Sequence, residues 1–257
     1  MKMNKLMMTA AFALLTLTTV FTGCKKDDDD ETPTPTANTN QNLSFHLHTL
    51  VGTDAAAYGV QFQNASGRKF DIADFRYYIS NIVLIKNDGS ELPLSGKVVL
   101  ANPATNSYDL GEVPVGSYKG FKFMLGLDSA VNHSDPTAYP ANNPLSIQSP
   151  GNHWDWNSGY IFMKVEGNVD TTLAANGPLD FQYFYHIGMD DFKRTIDFST
   201  SAFTVVSGSN YAIGLKFDLL RMLNNVDMRT ENITHTMNNM PLAMKIADNW
   251  QGAFELE

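Results

Sequence analysis

The chain has 257 residues, 43% of them hydrophobic, with 18 Lys and Arg against 27 Asp and Glu, so its formal net charge is −9. This charge argues against nucleic acid as a partner, since nucleic-acid-binding proteins present a basic surface to phosphate groups. The single Cys excludes an intrachain disulfide and a site built from several thiolates, so any metal must rely on His, Met, carboxylate, amide or carbonyl ligands.

The chain starts with a predicted secretory signal peptide over residues 1–23. Two lysines precede an apolar run at residues 7–17, which is too short to span a bilayer and leads into small residues. Cys24 follows directly, in a context that resembles a bacterial lipobox with Phe21 where Leu is more usual. The resemblance implies cleavage before Cys24, acylation of this residue and stable membrane anchoring. A plain secreted protein is the alternative.

Residues 24–42 are predicted to form a solvated tether. A basic pair and an acidic block occupy residues 25–31, and residues 32–42 are polar and contain proline. Such a segment buries too little apolar surface to offset the entropy of ordering it. Cys-Lys followed by acidic residues resembles the surface-export signal of Bacteroidota lipoproteins, which implies display on the outer face of the outer membrane. Retention on the periplasmic face is the alternative.

Residues 43–257 are predicted to fold as one all-β domain. The hydrophobic pattern alternates with a period of two in many short runs separated by Gly, Asn and Pro, which is typical of an antiparallel β-sandwich. Residues 219–223 and 240–248 are the only predicted short helices. The predicted strands cover residues 43–50, 75–85, 97–100, 118–127, 160–167, 179–188, 193–198, 203–206 and 211–218.

One long loop interrupts this pattern at residues 133–153. It contains Pro136, Pro140, Pro144 and Pro150, and it is much longer than the usual connection between strands. Loops of this length in compact domains tend to serve a function. We therefore expect this Pro-rich loop to lie near a site.

His46 and His48 form a candidate half of a metal site. They lie two residues apart on a predicted strand, so they share one face, while Leu43, Phe45 and Leu47 occupy the other. Imidazole nitrogens are common metal ligands. The His-x-His spacing is also frequent on ordinary surface strands, so the pattern alone does not establish a metal site.

The other histidines have simpler explanations in the sequence. His186 ends an aromatic strand, where a hydrogen-bonded core histidine is common, and His133 and His153 lie on the long loop. His235 lies in a Met-rich segment. Thioethers with a histidine suit Cu(I), but methionine is also an ordinary filler of hydrophobic cores.

Trp154 and Trp156 have two roles that their chemistry alone suggests. Core packing ranks first for at least one of them, because an indole buries a large apolar area. Stacking on a sugar ring ranks last. The sequence contains no nucleophile elbow, P-loop, dinucleotide fingerprint or H-E-x-x-H motif, so we do not expect an enzyme.

Four blocks of sequence occur in a characteristic order. They are F-R-Y-Y-I-S-N-I-V-L at 75–84, G-S-Y-K-G-F-K-F at 116–123, W-D-W-N-S-G-Y-I-F at 154–162 and Y-H-I-G at 185–188. Together they resemble the MbnP-like family of copper-binding proteins, named for the methanobactin operon, and the likeness extends from about residue 45 to residue 217. The resemblance implies a β-sandwich that binds copper, often beside a di-haem peroxidase of the MauG type. Some relatives carry a tryptophan oxidised to kynurenine beside the copper, which implies such a role for Trp154 or Trp156, ranked after core packing and before sugar stacking.

The resemblance also implies a set of ligands. His48 precedes a Val-Gly turn as a family histidine does, and His186 matches the second one, whereas His46 is an extra histidine outside the pattern. His46, Met189 or an oxidised indole would complete the site. We therefore expect a cell-envelope lipoprotein that binds copper through histidines for acquisition, storage or hand-over, with His48 and His186 close together. A glycan-binding or structural β-sandwich module without a metal is the alternative.

Overall fold

A computed structural model describes residues 39–147, 151–154 and 159–257 of the chain. The predicted signal peptide, Cys24, most of the predicted tether and Trp156 lie outside the described residues. Within the described residues, no helix has both the length and the apolar character needed to cross a membrane.

The described residues form 16 strands and a few short helices, which confirms the predicted all-β fold. The strands are β1 (Asn40–Val51), β2 (Asp54–Ala55), β3 (Phe62–Gln63), β4 (Lys69–Phe70), β5 (Asp74–Lys86), β6 (Glu91–Pro93), β7 (Val99–Ala101), β8 (Ser107–Pro114), β9 (Gly116–Leu125), β10 (Ile161–Val169), β11 (Phe181–Gly188), β12 (Arg194–Phe198), β13 (Phe203–Val205), β14 (Tyr211–Asp218), β15 (Ile233–Thr234) and β16 (Phe254–Leu256). The α-helices are α1 (Ser129–Asn132), α2 (Leu219–Met222) and α3 (Met240–Gln251), and 3-10 turns cover Pro136–Ala138, Asp190–Phe192 and Met237–Asn239.

The strands form two sheets. In the first sheet the order is β16-β14-β1-β2, with β8 also paired to β1, and in the second it is β12-β9-β5-β10-β11-β15 with short strands at its margins. Most pairings are antiparallel, but β1–β14 and β11–β15 are parallel. Since β14 and β15 reach their partners only after long intervening segments, no hairpin sets their direction.

The first strand begins earlier than its hydrophobic pattern predicts. It starts at Asn40, because residues 40–42 pair with the end of β8. The last three residues assigned to the tether therefore belong to the folded domain. Along β1 the inward positions Leu43, Phe45 and Leu47 are buried, as the alternation predicts.

Aromatic side chains join the two sheets across the core. Phe45 on β1 lies 6.0 Å from Phe121 and 5.6 Å from Phe123, both on β9 of the second sheet, measured between ring centroids. Phe217 on β14 similarly lies 5.1 Å from Tyr77 on β5. This core lies between the inner faces of the two sheets, so alternate residues on each strand point outward.

The long loop covers part of the outer face of the second sheet. Tyr78 on β5 donates a hydrogen bond of 3.0 Å to the carbonyl of Pro144, and Tyr160 donates one of 2.7 Å to the carbonyl of Leu145. Both tyrosine rings are buried, although Tyr78 points away from the central core. The described part of the loop is thus fastened to the sheet.

The C-terminal helix closes the core. In α3 the residues Leu242, Ile246 and Trp250 are buried, and the Trp250 ring meets Tyr77 edge-on at 5.9 Å. Asn239 caps the helix by accepting from the backbone N–H of Leu242. The helix fixes the segment that precedes it, which includes His235.

Candidate functional site

His46 and His48 lie side by side on the outer face of the first sheet. Their ring centroids are 4.6 Å apart, as expected for residues two apart on one strand. The His48 Nε2 atom lies 3.4 Å from Oε1 of Glu257, and both side chains are substantially exposed. The His46–His48 pair is therefore an open surface group with one carboxylate beside it.

His186 lies on the outer face of the second sheet. On β11 the residues Tyr183, Tyr185 and Ile187 enter the core, so the alternate residues Phe184 and His186 point outward. His186 is nevertheless only 8% exposed. Neighbouring side chains on β10 and the 233–239 segment shield it.

The structure does not bring His48 and His186 together. Each histidine alternates with core residues of its own strand, so each points away from the shared core. Because the two strands belong to different sheets, the two rings lie on opposite outer faces of the sandwich. The residues that the sequence places in one copper site therefore belong to two separate groups.

His235 is the partner of His186. The two Nδ1 atoms lie 2.9 Å apart, and the ring centroids are 4.6 Å apart at an interplanar angle of 71°. Phe184 lies beside both rings, with centroid distances of 6.2 Å to each. This is a hydrogen-bond distance, and two metal–nitrogen bonds of about 2.0 Å each would span it only with an angle of about 90° at the metal. The His186–His235 pair is thus a shielded group with two facing nitrogens.

A strained turn holds His235 in place. The Met237 N–H donates to the His235 carbonyl at 2.8 Å, and Thr236 between them has φ +62° and ψ −70°, the conformation of a classic γ-turn. Thr236 is fully buried. Its hydroxyl donates to the His186 carbonyl at 2.8 Å and accepts from the Gly188 N–H at 3.0 Å. These bonds fasten the turn directly to β11.

A carboxylate orients the His186 ring. Its Nε2 lies 2.7 Å from Oε1 of Glu166, so Nε2 donates to the carboxylate and Nδ1 is the ring nitrogen that faces His235. Burial, and then the neighbouring His186, lower the pKa of His235, which favours its neutral form. A histidine oriented by a carboxylate on its remote nitrogen is a common arrangement in metal sites.

Glu166 belongs to a row of alternating charges on the outer face of the second sheet. Lys164 Nζ lies 3.1 Å from Glu166 and 3.2 Å from Asp74, and Arg76 forms two hydrogen bonds with Asp74. Although burial alone would raise it, hydrogen bonds from His186 and Lys164 lower the pKa of Glu166. Glu166 is therefore ionised at neutral pH, and it already contacts both Lys164 and His186.

Trp154 lies next to the end of β11 but is not exposed. It is 5% exposed, and its ring packs so closely on Gly188 that a side chain at Gly188 would overlap it. A buried indole does not suit stacking on a sugar ring at the surface. It also lines a cavity of about 220 Å³ with Asn132, His133, Gly159, Met189, Asp190 and Asp191.

The loop histidines and Met189 stand apart from both histidine pairs. His133 Nε2 lies 3.7 Å from Asp190, and His153 contacts the Trp154 carbonyl and the Gly159 N–H through its two ring nitrogens. Met189 has φ +73°, a conformation that non-glycine residues rarely adopt and that stores strain. His133 and Met189 line the cavity beside Trp154, whereas His153 does not.

The described residues contain no group of three or more His, Cys, Asp or Glu side chains arranged to hold a metal ion. Two imidazoles whose Nδ1 atoms face each other, one of them oriented by Glu166, do match the donor chemistry of copper. Sequence reasoning singled out His186 but assigned no site role to His235 and Glu166. The signals that were present are the short alternation I-T-H-T at 233–236 and the Glu two residues after Lys164 on an otherwise apolar strand.

Comparisons with known proteins point to one family. The family model MbnP matches residues 40–240. Among solved structures, MbnP from Methylosinus trichosporium matches with a TM-score of 0.49 and 16% sequence identity, over 72% of this chain and 77% of that one. No curated protein matches the chain.

Proposed function

Because the chain belongs to the MbnP family, which links it to copper-binding proteins, we propose that it binds copper at the His186–His235 pair. The observation that carries this proposal is the 2.9 Å approach of two Nδ1 atoms, with Glu166 hydrogen-bonded to the remote nitrogen of His186. Imidazole nitrogens suit copper in either oxidation state.

Each neighbouring residue has a separate role in this proposal. His186 offers the Nδ1 lone pair that Glu166 leaves free, and His235 offers its own Nδ1 once its proton moves to Nε2. Phe184 shields both rings, and Thr236 holds His235 against β11. Copper held there by only two histidines could be passed to another protein, which fits acquisition, storage or hand-over rather than catalysis.

A location for this function is proposed from the residues around Cys24. A chain cleaved before Cys24 and acylated there would be anchored to a membrane by more than one acyl chain. The acidic segment after Cys24 favours the outer face of the outer membrane over the periplasmic face. A di-haem peroxidase of the MauG type is the partner that the family context suggests. We propose a tethered copper-binding domain in the cell envelope.

The exposed His46–His48 pair is a second, weaker place for copper in this proposal. Its rings stand side by side with Glu257 at 3.4 Å from His48. Exposed ligands pay a larger entropic cost to be held in one geometry. Copper would therefore bind there after the His186–His235 pair is filled.

Replacing His186 and His235 together with Ala is expected to weaken the tightest copper site by at least about 100-fold, since both nitrogen ligands are lost. The measurement is anaerobic titration with Cu(I) against a coloured chelator, with metal analysis of the purified protein. The matched control replaces His133 and His153, which lie outside both pairs, and should bind like the parent. Replacing His46 and His48 should remove only weaker binding. Tight binding in the His186/His235 variant would contradict the proposal.

A further inference from the structure

Residues 141–144 of the Pro-rich loop form one wall of a groove of about 510 Å³. Residues 97–100 and 107–109, in and around β7 and β8, line it from the other side, and Arg76 lines it from β5. We propose that this groove binds a neutral saccharide. His186 and His235 are not among the described residues that line the groove, so the inference does not depend on copper binding at that pair.

The second wall is a hairpin whose two arms belong to different sheets. Asn102 and Thr105 pair at its turn, while β7 before the turn joins β5 of the second sheet and β8 after it joins β1 of the first. The hydroxyl of Tyr108 fixes this turn, because it accepts from the Asn102 N–H at 2.9 Å and donates to the Thr105 carbonyl at 2.8 Å. Since the arms enter different sheets, they separate beyond the turn and leave open the space that the groove occupies.

Hydrogen bonds also fix the wall formed by the loop. Tyr78 donates to the Pro144 carbonyl at 3.0 Å, and the Leu145 N–H donates to Oδ1 of Asn143 at 2.8 Å. Both walls are therefore held in place before a ligand arrives. A site that is already ordered loses less conformational entropy when it binds.

The charged side chains that the structure places along the groove are matched in pairs. Arg76 forms two hydrogen bonds with Asp74, and Lys97 Nζ lies 3.2 Å from Oδ2 of Asp109. Each cation thus has a carboxylate of the protein beside it. An excess of one charge would attract ligands of the opposite charge, whereas this balance favours a neutral ligand.

Two amides in the groove are oriented to donate hydrogen bonds. Oδ1 of Asn143 accepts from the Leu145 N–H at 2.8 Å, and Oδ1 of Asn102 accepts from the Ala104 N–H at 2.9 Å. These bonds occupy the amide oxygens and leave the NH₂ groups for a ligand. The carboxylate of Asp109 adds acceptor oxygens. Because a sugar hydroxyl both donates and accepts, amide donors beside a carboxylate acceptor suit a ligand with several hydroxyls.

Apolar side chains form another part of the lining. Val98, Leu100 and Pro144 are half-buried and line the groove, so they offer apolar surface to the C–H groups of a sugar ring. Small-molecule sites commonly combine an apolar lining with a few placed polar groups, and the volume of about 510 Å³ is in their usual range. The combination fits a short saccharide.

The double variant Asn102→Asp/Asn143→Asp tests the site. Aspartate keeps an oxygen to accept the backbone N–H, but it replaces the donating NH₂ group with a second acceptor. Loss of both donated hydrogen bonds should weaken saccharide binding at least about tenfold. Asn64→Asp is the matched control, since Oδ1 of Asn64 likewise accepts from the N–H groups of Ser66 and Arg68 but lies outside the groove. It should bind like the parent.

The probes are the neutral trisaccharides maltotriose, cellotriose, xylotriose and mannotriose, with trigalacturonate as an anionic comparison. Binding to the purified protein is measured by saturation-transfer NMR and calorimetry, and circular dichroism establishes that each variant is folded. Asn102→Asp and Asn143→Asp, made separately, give independent readings if the double variant does not fold. Saturable binding of a neutral trisaccharide that the aspartate variants weaken and Asn64→Asp does not supports the inference. The inference is overturned if no neutral trisaccharide binds saturably, if the folded aspartate variants bind like the parent, or if trigalacturonate binds more tightly than every neutral probe.

Discussion

Thr236→Val is expected to destabilise the protein by about 3 kcal/mol and to weaken copper binding. The substitution keeps the shape and the β-branch but removes a fully buried hydroxyl. The His186 carbonyl and the Gly188 N–H would then lose their partner, and each buried group left without one costs roughly 1–3 kcal/mol. Urea unfolding followed by fluorescence measures the change in free energy.

The copper affinity of the Thr236→Val variant distinguishes two roles of the turn. If Thr236 only supports the fold, a folded Thr236→Val protein will bind Cu⁺ like the parent. If it holds His235 against His186, affinity falls in conditions where the variant is still folded. Thr236→Ser keeps the hydroxyl and is the matched control, with an expected loss below about 1 kcal/mol. Equal losses for Val and Ser would contradict the hydrogen-bonding account.

Gly120→Ala is expected to destabilise the fold by at least about 3 kcal/mol, the upper range for forcing extra atoms into a packed site. A Cβ at this position on β9 would overlap the Phe198 carbonyl and the Ser199 backbone. These are main-chain atoms, and Phe198 is paired with Phe121 at the same place, so neither side can move freely. Thermal unfolding measures the effect.

Gly252→Ala provides the comparison for this clash. Gly252 follows α3 with φ −85°, and the nearest atom to a Cβ there would be the Asn249 carbonyl at 3.6 Å, an ordinary contact. We expect a change within about 0.5 kcal/mol. If the two alanine variants unfold at the same temperature, steric overlap at Gly120 is not the controlling factor.

The fold was largely predictable because hydrophobic and polar residues alternate along most of the strands. On β1, Leu43, Phe45 and Leu47 alternate with polar residues and all enter the core. Strand β8 escaped prediction because only Leu110 and Val113 are buried along it. Such a strand is specified by its pairing with β1 and leaves little hydrophobic pattern in its own sequence.

Sequence reasoning could identify a site residue only where that residue lies in a recognisable sequence block. His186 was found from the Y-H-I-G block, whereas His235 lies 49 residues later, after a strand of two residues that pairs in parallel with β11. The expectation that His48 and His186 lie close together required β1 to lie beside β11, whereas the late strand that pairs with β1 is β14. Which late strand becomes the neighbour depends on the packing of the whole chain.

The Thr236 turn gives the proposed copper binding a thermodynamic consequence for residues 233–239. His235 reaches His186 only while the segment before α3 is docked on β11, so a metal ion held by both rings binds the docked state and not the detached one. By mass action, such a ligand stabilises the docked state in proportion to its concentration and affinity. Amide hydrogens of residues 233–239 should therefore exchange with solvent more slowly as copper is added, while exchange in strands remote from the pair changes little. A partner able to detach this segment would, by the same coupling, also release copper from the proposed site.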